Sequence, residues 1–122
     1  MTVTFDTSAW IEYFAGTDLG RVVKGYIDGT ETIYTPVIDL LEIKNKYQRE
    51  NKKWKSRIEF ICVRSSIIDI NTEIALIAAD MKKEFKLYSI DAIIYASARK
   101  MKSKLLTKDS HFKGLKDVII LE

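Results

Sequence analysis

The sequence predicts an α/β protein in which a short parallel β-sheet is sandwiched between α-helices. Three observations carry that expectation. Short apolar runs of strand character alternate with longer segments of helical spacing, the pattern of parallel strands joined by helical crossovers. Acidic residues stand at several strand-to-helix junctions, and residues just beyond the strand ends of a parallel sheet meet in one crevice. A length of 122 residues, 47% hydrophobic and 30% charged, suits one domain (1–122) with a real core. A chain of this size buries roughly two-thirds of the surface its unfolded form exposes.

The elements follow in order. Thr2–Phe5 reads as the first strand, with Thr7 or Ser8 available to cap the helix Ala9–Ala15 and Gly16 at its C-terminal stop. Asp18–Asp28 is an amphipathic helix with Leu19, Val22, Val23, Tyr26 and Ile27 apolar, closed by Gly29. Glu31–Thr35 is a short strand, and the only proline, Pro36, fits the first turn of the helix Val37–Tyr47. Lys52–Val63 predicts a helix with Trp54, Ile58 and Ile61 inward. Ser66–Ile70 predicts a strand, and Asn71 or Thr72 caps Glu73–Phe85. A short link leads into the helix Ile90–Met101, and Leu105–Thr107 and Val118–Leu121 are the last strands. There is no repeat, linker or low-complexity tract.

Composition excludes several classes. No apolar run approaches the ~20 residues of a membrane span, and the N-terminus lacks the basic and apolar regions of a secretory signal. The single cysteine, Cys62, excludes an intramolecular disulfide and a cysteine-based zinc site; its apolar neighbours predict a buried small hydrophobe. These features favour the cytoplasm. A net charge of +3 is compatible with a nucleic-acid partner without establishing one.

Four acids form the candidate site: Asp6 after the first strand, Glu42 within a helix, Asp91 at a helix start and Asp109 after Lys104-Leu105-Leu106-Thr107. Carboxylates gathered in one crevice repel one another, and a hard divalent cation with oxygen ligands, Mg²⁺ or Mn²⁺, resolves the repulsion. That chemistry points to metal-assisted hydrolysis of a phosphate ester. Ser8 and Thr107 each add a hydroxyl beside a strand-end carboxylate. Asp91 lies between Ile90 and Ala92-Ile93-Ile94, where an unpaired charge is costly and needs a cation or a partner. With one histidine, His111, histidine-pair nuclease chemistry is excluded. The basic stretch Lys44, Lys46, Arg49, Lys52, Lys53, Lys55 and Arg57 reads either as a solvated helix face or as a surface tracking phosphates.

Asp6-Thr7-Ser8-Ala9-Trp10-Ile11, the helical Glu42, Asp91-Ala92-Ile93-Ile94-Tyr95-Ala96 and Leu106-Thr107-Lys108-Asp109-Ser110-His111-Phe112 together resemble the PIN domain, in family order and spacing across nearly the whole chain. More narrowly they resemble the VapC-type ribonuclease toxins of toxin–antitoxin pairs. The resemblance implies a PIN-like fold and makes Asp6, Glu42, Asp91 and Asp109 catalytic, metal-binding carboxylates. Ser8 and Thr107 would be hydroxyl ligands or donors behind them. Asp39, one turn before Glu42 on the same helix face, has no firm counterpart in the family and is a further candidate as an auxiliary ligand. The resemblance further implies Mg²⁺-dependent (Mn²⁺ also serving) cleavage of RNA, a homodimer held by apolar helix faces, and a small antitoxin partner. Some PIN domains carry an acid two positions after the one matching Asp109; here that position is His111, which bears on a second metal site. Two rivals remain: a non-catalytic PIN-like binding module, and a receiver-type signalling domain. The second would need an acidic pair at the first strand end, where Asp6 stands alone, and phosphorylation of Asp69, which lies within its predicted strand.

Overall fold

Period-two alternation along the strands builds two cores, one on each side of the sheet. Leu106 belongs to the first and Leu105 to the second; Val3 and Phe5 face the first, while Thr4 between them turns to Ser103, 2.9 Å away. A computed structural model describes residues 2–122. The order is β1 (Thr2–Phe5), α1 (Thr7–Ala15), α2 (Asp18–Asp28), β2 (Thr32–Pro36), α3 (Val37–Arg49), α4 (Lys55–Arg64), β3 (Ser66–Ile68), α5 (Thr72–Phe85), α6 (Ser89–Lys100), β4 (Lys104–Thr107), one 3₁₀ turn (Ser110–Phe112) and β5 (Val118–Ile120). All pairings are parallel and the strand order is β3-β2-β1-β4-β5.

That order fixes where a site can form. The chain works outward from β1 through β2 to β3, then returns to lay β4 on the other side of β1. Between β1 and β4 the connections therefore leave in opposite directions and open a crevice beyond the carboxyl ends of the strands. The register pairs Phe5 with Leu106, so Asp6 and Thr107 emerge side by side at its floor.

The first core contains Phe5, Trp10, Val23, Ile43, Tyr47 and Ile61, contributed by β1 and α1 to α4; the second contains Ile74, Ala92, Ile94, Tyr95, Leu105 and Phe112, centred on α5 and α6. Trp10 is fully buried, donates from Nε1 to Thr35 Oγ1 at 3.1 Å and packs edge-on against Phe5 at 4.9 Å. The two short helices α1 and α2 pack closely because Gly20 lies against the Glu12 carbonyl, where a Cβ would come within 2.1 Å of the oxygen. Gly16 stops α1 in the left-handed region, φ 68°, as the sequence predicts.

Several local expectations need correction. Neither Thr7 nor Ser8 caps α1: Asp6 does, its carboxylate accepting from the Ala9 amide at 2.9 Å, which frees both hydroxyls for other partners. Pro36 ends β2 and precedes α3 instead of entering its first turn. Lys52-Lys53-Trp54 is not helical, so α4 begins at Lys55, while Trp54, Ile58 and Ile61 do pack inward. β3 stops at Ile68, which places Asp69 beyond the strand, exposed. Cys62 is exposed, because α4 presents Ile58 and Ile61 to the core and turns Cys62 and Val63 outward. Among the described residues no helix is long and apolar enough to cross a membrane.

Candidate metal centre

Four chain segments bring acids to the crevice. The ends of β1 and β4 supply Asp6 and Asp109, the first two turns of α3 supply Asp39 and Glu42, and the first turn of α6 supplies Asp91. Asp6, Glu42, Asp91 and Asp109 line one cleft of about 280 Å³ together with Ser8, Glu12 and Lys108, and Ile11 and Ile94 form its apolar wall. All four acids singled out in the sequence thus converge. Asp39 lies behind them, wholly buried.

Asp6 is the most elaborately held. One carboxylate oxygen accepts from the Ala9 amide and from Ser8 Oγ at 2.6 Å; the other accepts from Thr107 Oγ1. Ser8 Oγ in turn accepts from the Lys108 amide at 2.9 Å, and Thr107 Oγ1 from the Asp109 amide at 2.9 Å. The two hydroxyls thus lock the loop after β4 to the start of α1. Burial still dominates: it pushes the Asp6 carboxyl from 3.8 to about 6, against these hydrogen bonds and with a smaller push from Asp109.

Thr7, which sequence reasoning assigned only to capping, proves to be the link between the α3 acids and α1. Its Oγ1 lies 2.6 Å from Glu42 Oε1 and 3.3 Å from Asp39 Oδ1. A hydroxyl has one proton to donate, and the shorter contact takes it. Asp39 is consequently close to partnerless: Oδ2 has no hydrogen-bond partner at all. Burial first, then the charges of Asp6 and Glu42, drive its carboxyl well above the usual aspartate range. Asp91, half-buried, is also raised, by burial and then by Asp109, with His111 opposing.

His111 is the second residue whose position the sequence did not reveal. Its Nδ1 lies 3.0 Å from Asp109 Oδ1 and 3.5 Å from Asp91 Oδ2, and its amide donates to the same Asp109 oxygen at 2.9 Å. Asp91, Asp109 and His111 offer three ligand atoms within 4.8 Å of one another. Lys108, the one Lys or Arg among the described residues lining the cleft, is turned to Glu12 at 2.7 Å; that cation holds the Glu12 carboxyl below its usual range. Among the described residues no Lys or Arg pairs with Asp6, Asp39, Glu42, Asp91 or Asp109.

The donor set fits a divalent cation. It is dominated by carboxylate and hydroxyl oxygens, the donors that Mg²⁺ and Mn²⁺ select, with one imidazole that Mn²⁺ accepts more readily than Mg²⁺. The unpartnered Asp39 oxygen, and the lack among the described residues of a Lys or Arg beside these acids, leave a place for a cation.

A family model, PIN domain, matches residues 3–118. Among solved structures, a toxin–antitoxin complex from Klebsiella pneumoniae superposes with a TM-score of 0.84 at 24% identity, covering 99% of this chain and 98% of the other. VapBC2 from Rickettsia felis, bound to a DNA fragment from its promoter, gives 0.78 at 19% identity, covering 98% and 97%. VapC20 from Mycobacterium tuberculosis, a Sarcin-Ricin loop cleaving toxin, gives 0.74 at 17% identity, covering 99% and 100%. No curated protein sequence matches the chain.

Proposed function

The chain belongs to the PIN domain family, and on that premise we propose that it is a Mg²⁺-dependent endoribonuclease, the toxin of a type II toxin–antitoxin pair. One observation carries the reading: Asp6, Glu42, Asp91 and Asp109 line one cleft with Asp39 buried behind them, and among the described residues no Lys or Arg pairs with any of the five. A protein that needed them only for stability would have paired them, since removing charge from water without a partner is costly.

In this reading Asp6, Glu42, Asp91 and Asp109 hold the cation, and Asp39 adds negative charge beneath it. When bound, the divalent ion lowers the pKa of a coordinated water and offsets charge on the phosphate oxygens. The chain's own part is positioning. Ser8 and Thr107 fix the Asp6 carboxylate from two sides, and Thr7 fixes Glu42, which is placed to hold the cation or to orient the attacking water. Ile11 and Ile94 restrict bulk water on the apolar wall.

The partners follow from the same premise. The similar folds solved as toxin–antitoxin assemblies support a small antitoxin as partner. Val63 on α4 and Leu76 on α5, 88% and 65% exposed, offer apolar surface for a homodimer. RNA as substrate places the activity in the cytoplasm. The test is cleavage of RNA by the purified chain with Mg²⁺ and with excess EDTA. Cleavage only with the metal is expected; equal cleavage in EDTA would exclude the metal hydrolase, and no cleavage in either would favour the non-catalytic binding module.

A further inference from the structure

Tyr88 is 70% exposed although it sits immediately before α6, three residues from Asp91. Its ring offers solvent a flat apolar face with a polar tip. Among the described residues its one aromatic neighbour is His111, met edge-to-face with ring centroids 5.4 Å apart and planes at 74°. The His111 amide donates to Asp109 Oδ1 at 2.9 Å, and its Nδ1 lies 3.0 Å from that same oxygen and 3.5 Å from Asp91 Oδ2. The pair thus stands beside Asp91 and Asp109 of the carboxylate cleft. The imidazole abuts the acids, and the phenol ring lies one ring further out.

That sequence of groups matches the sequence of groups in a nucleotide. A phosphate drawn to the acids through a cation has its base one sugar away. A planar base has a π-face whatever its identity, and an exposed aromatic ring beside the acids takes it by stacking. The two obvious alternatives have less on their side. A phosphate contact would need a cation, and His111 is committed to two carboxylates. A wholly apolar protein contact would not favour a ring whose one fixed neighbour is a polar imidazole.

We propose that Tyr88, braced by His111, is a nucleobase-binding subsite that stacks the base adjoining the scissile phosphate. The inference rests on the ribonuclease reading above and adds to it the component of the substrate that touches the protein outside the acids. The stacking is tolerant of base identity, so the subsite governs position on the strand and a preference for unpaired nucleotides over duplex, whose bases are already stacked on one another.

The test separates this subsite from catalysis. Single-stranded RNA decamers carrying 2-aminopurine at successive positions are mixed with the full chain in Mg²⁺ by stopped flow, and the fluorescence is read before cleavage. Quenching at one position is expected with wild type and with Tyr88→Phe, and its loss with Tyr88→Ala, with affinity lower by about 5- to 150-fold. The same decamer made abasic at that position should bind wild type and Tyr88→Ala alike. Equal losses on intact and abasic RNA, or no loss with Tyr88→Ala, would overturn the subsite. So would a change in oligomeric state of Tyr88→Ala by light scattering with RNA binding unaltered, which would make the ring a protein contact. A wild type that shows the positional quenching yet never cleaves RNA in Mg²⁺ would keep the subsite and remove the nuclease. The circular dichroism of Tyr88→Ala should match wild type, since the ring is exposed.

Discussion

If the acids are gathered for a cation, the metal-free protein should become less stable as the pH rises, and Asp6 gives the size of the effect. Its carboxyl moves from 3.8 in a free aspartate to about 6 in the fold. At about 1.36 kcal/mol per pH unit, holding it ionised costs on the order of 3 kcal/mol. The sign follows from proton counting. Between the two values the folded state binds more protons than the unfolded one, so stability falls as pH rises, and the loss is complete above the folded value. From pH 5 to pH 7.5 the Asp6 share of that loss is about 1.4 kcal/mol, by the same linkage. With an unfolding entropy of roughly 2.1 cal/mol/K per residue, it lowers Tm by about 5 °C in a chain of 122 residues. Asp39 and Asp91, also raised, add in the same direction, whereas the stability from Glu12, held low by Lys108, is nearly complete above its ordinary value and adds little slope over this range. The assay is thermal and urea unfolding in EDTA at the two pH values, for wild type and Asp6→Asn. The asparagine does not titrate and no longer pushes the Asp39 carboxyl up, so its pH trend should be smaller by about 1.4 kcal/mol or more. Saturating Mg²⁺ should raise the wild-type Tm more at pH 7.5 than at pH 5. A wild type more stable at pH 7.5 than at pH 5 without metal, or identical trends in the two proteins, would refute the reasoning.

Further predictions follow from individual contacts. Thr7→Val keeps the volume but removes the only hydroxyl donating to Glu42; metal affinity by calorimetry should fall by about 10- to 100-fold, with the fold intact. Replacing Lys52, Lys53 and Lys55 with Gln should flatten the salt dependence of RNA binding by about 2 in log–log slope if these residues track a single strand. Lys52 already pairs with Glu50 at 3.2 Å and should contribute least; an unchanged slope would make the stretch a solvated face. Gly20→Ala drives a methyl into the Glu12 carbonyl, so urea unfolding should report a loss of about 1–3 kcal/mol or more.

The parts of this protein readable from sequence are those governed by local periodicity and by short spacing. Alternating strand and helix patterns set the order of elements, and Asp18–Asp28 was delimited to the residue because Thr17 and Gly29 punctuate it. Asp6, Asp91 and Asp109 are legible because each follows a strand or opens a helix, where chain geometry aims it at the crevice, and Glu42 because its helix is otherwise apolar around it. What escaped depended on contacts distant in sequence. Thr7 reads as a generic cap until α3 folds across it and brings Glu42 within 2.6 Å, from 35 residues away. Asp39 looked auxiliary because nothing local says that its side chain ends up wholly buried with a bare oxygen. His111 read as a loop residue because the turn that closes it onto Asp109 and Asp91 joins two parts of the chain. Cys62 misled for the opposite reason: apolar neighbours on both sides suggest burial, but a helix on the protein surface turns every third or fourth residue inward, and Cys62 follows the one that is. The basic stretch was read as one block, yet the structure divides it: Lys44 lies over Trp54 at 4.2 Å and Arg57 over Tyr47 at 4.4 Å, while Lys46 and Lys52 pair with Glu50.

The central claim is that these carboxylates bind a divalent cation for the hydrolysis of RNA, and one measurement bears on it most directly. Purified wild type and Asp91→Asn are incubated with structured and single-stranded RNA across a Mg²⁺ titration, with Mn²⁺ and EDTA in parallel. Wild type should cleave in proportion to bound metal and stop in EDTA, and Asp91→Asn should bind RNA with wild-type affinity but not cut it. Cleavage by Asp91→Asn at the wild-type rate, or by wild type in excess EDTA, would contradict the account.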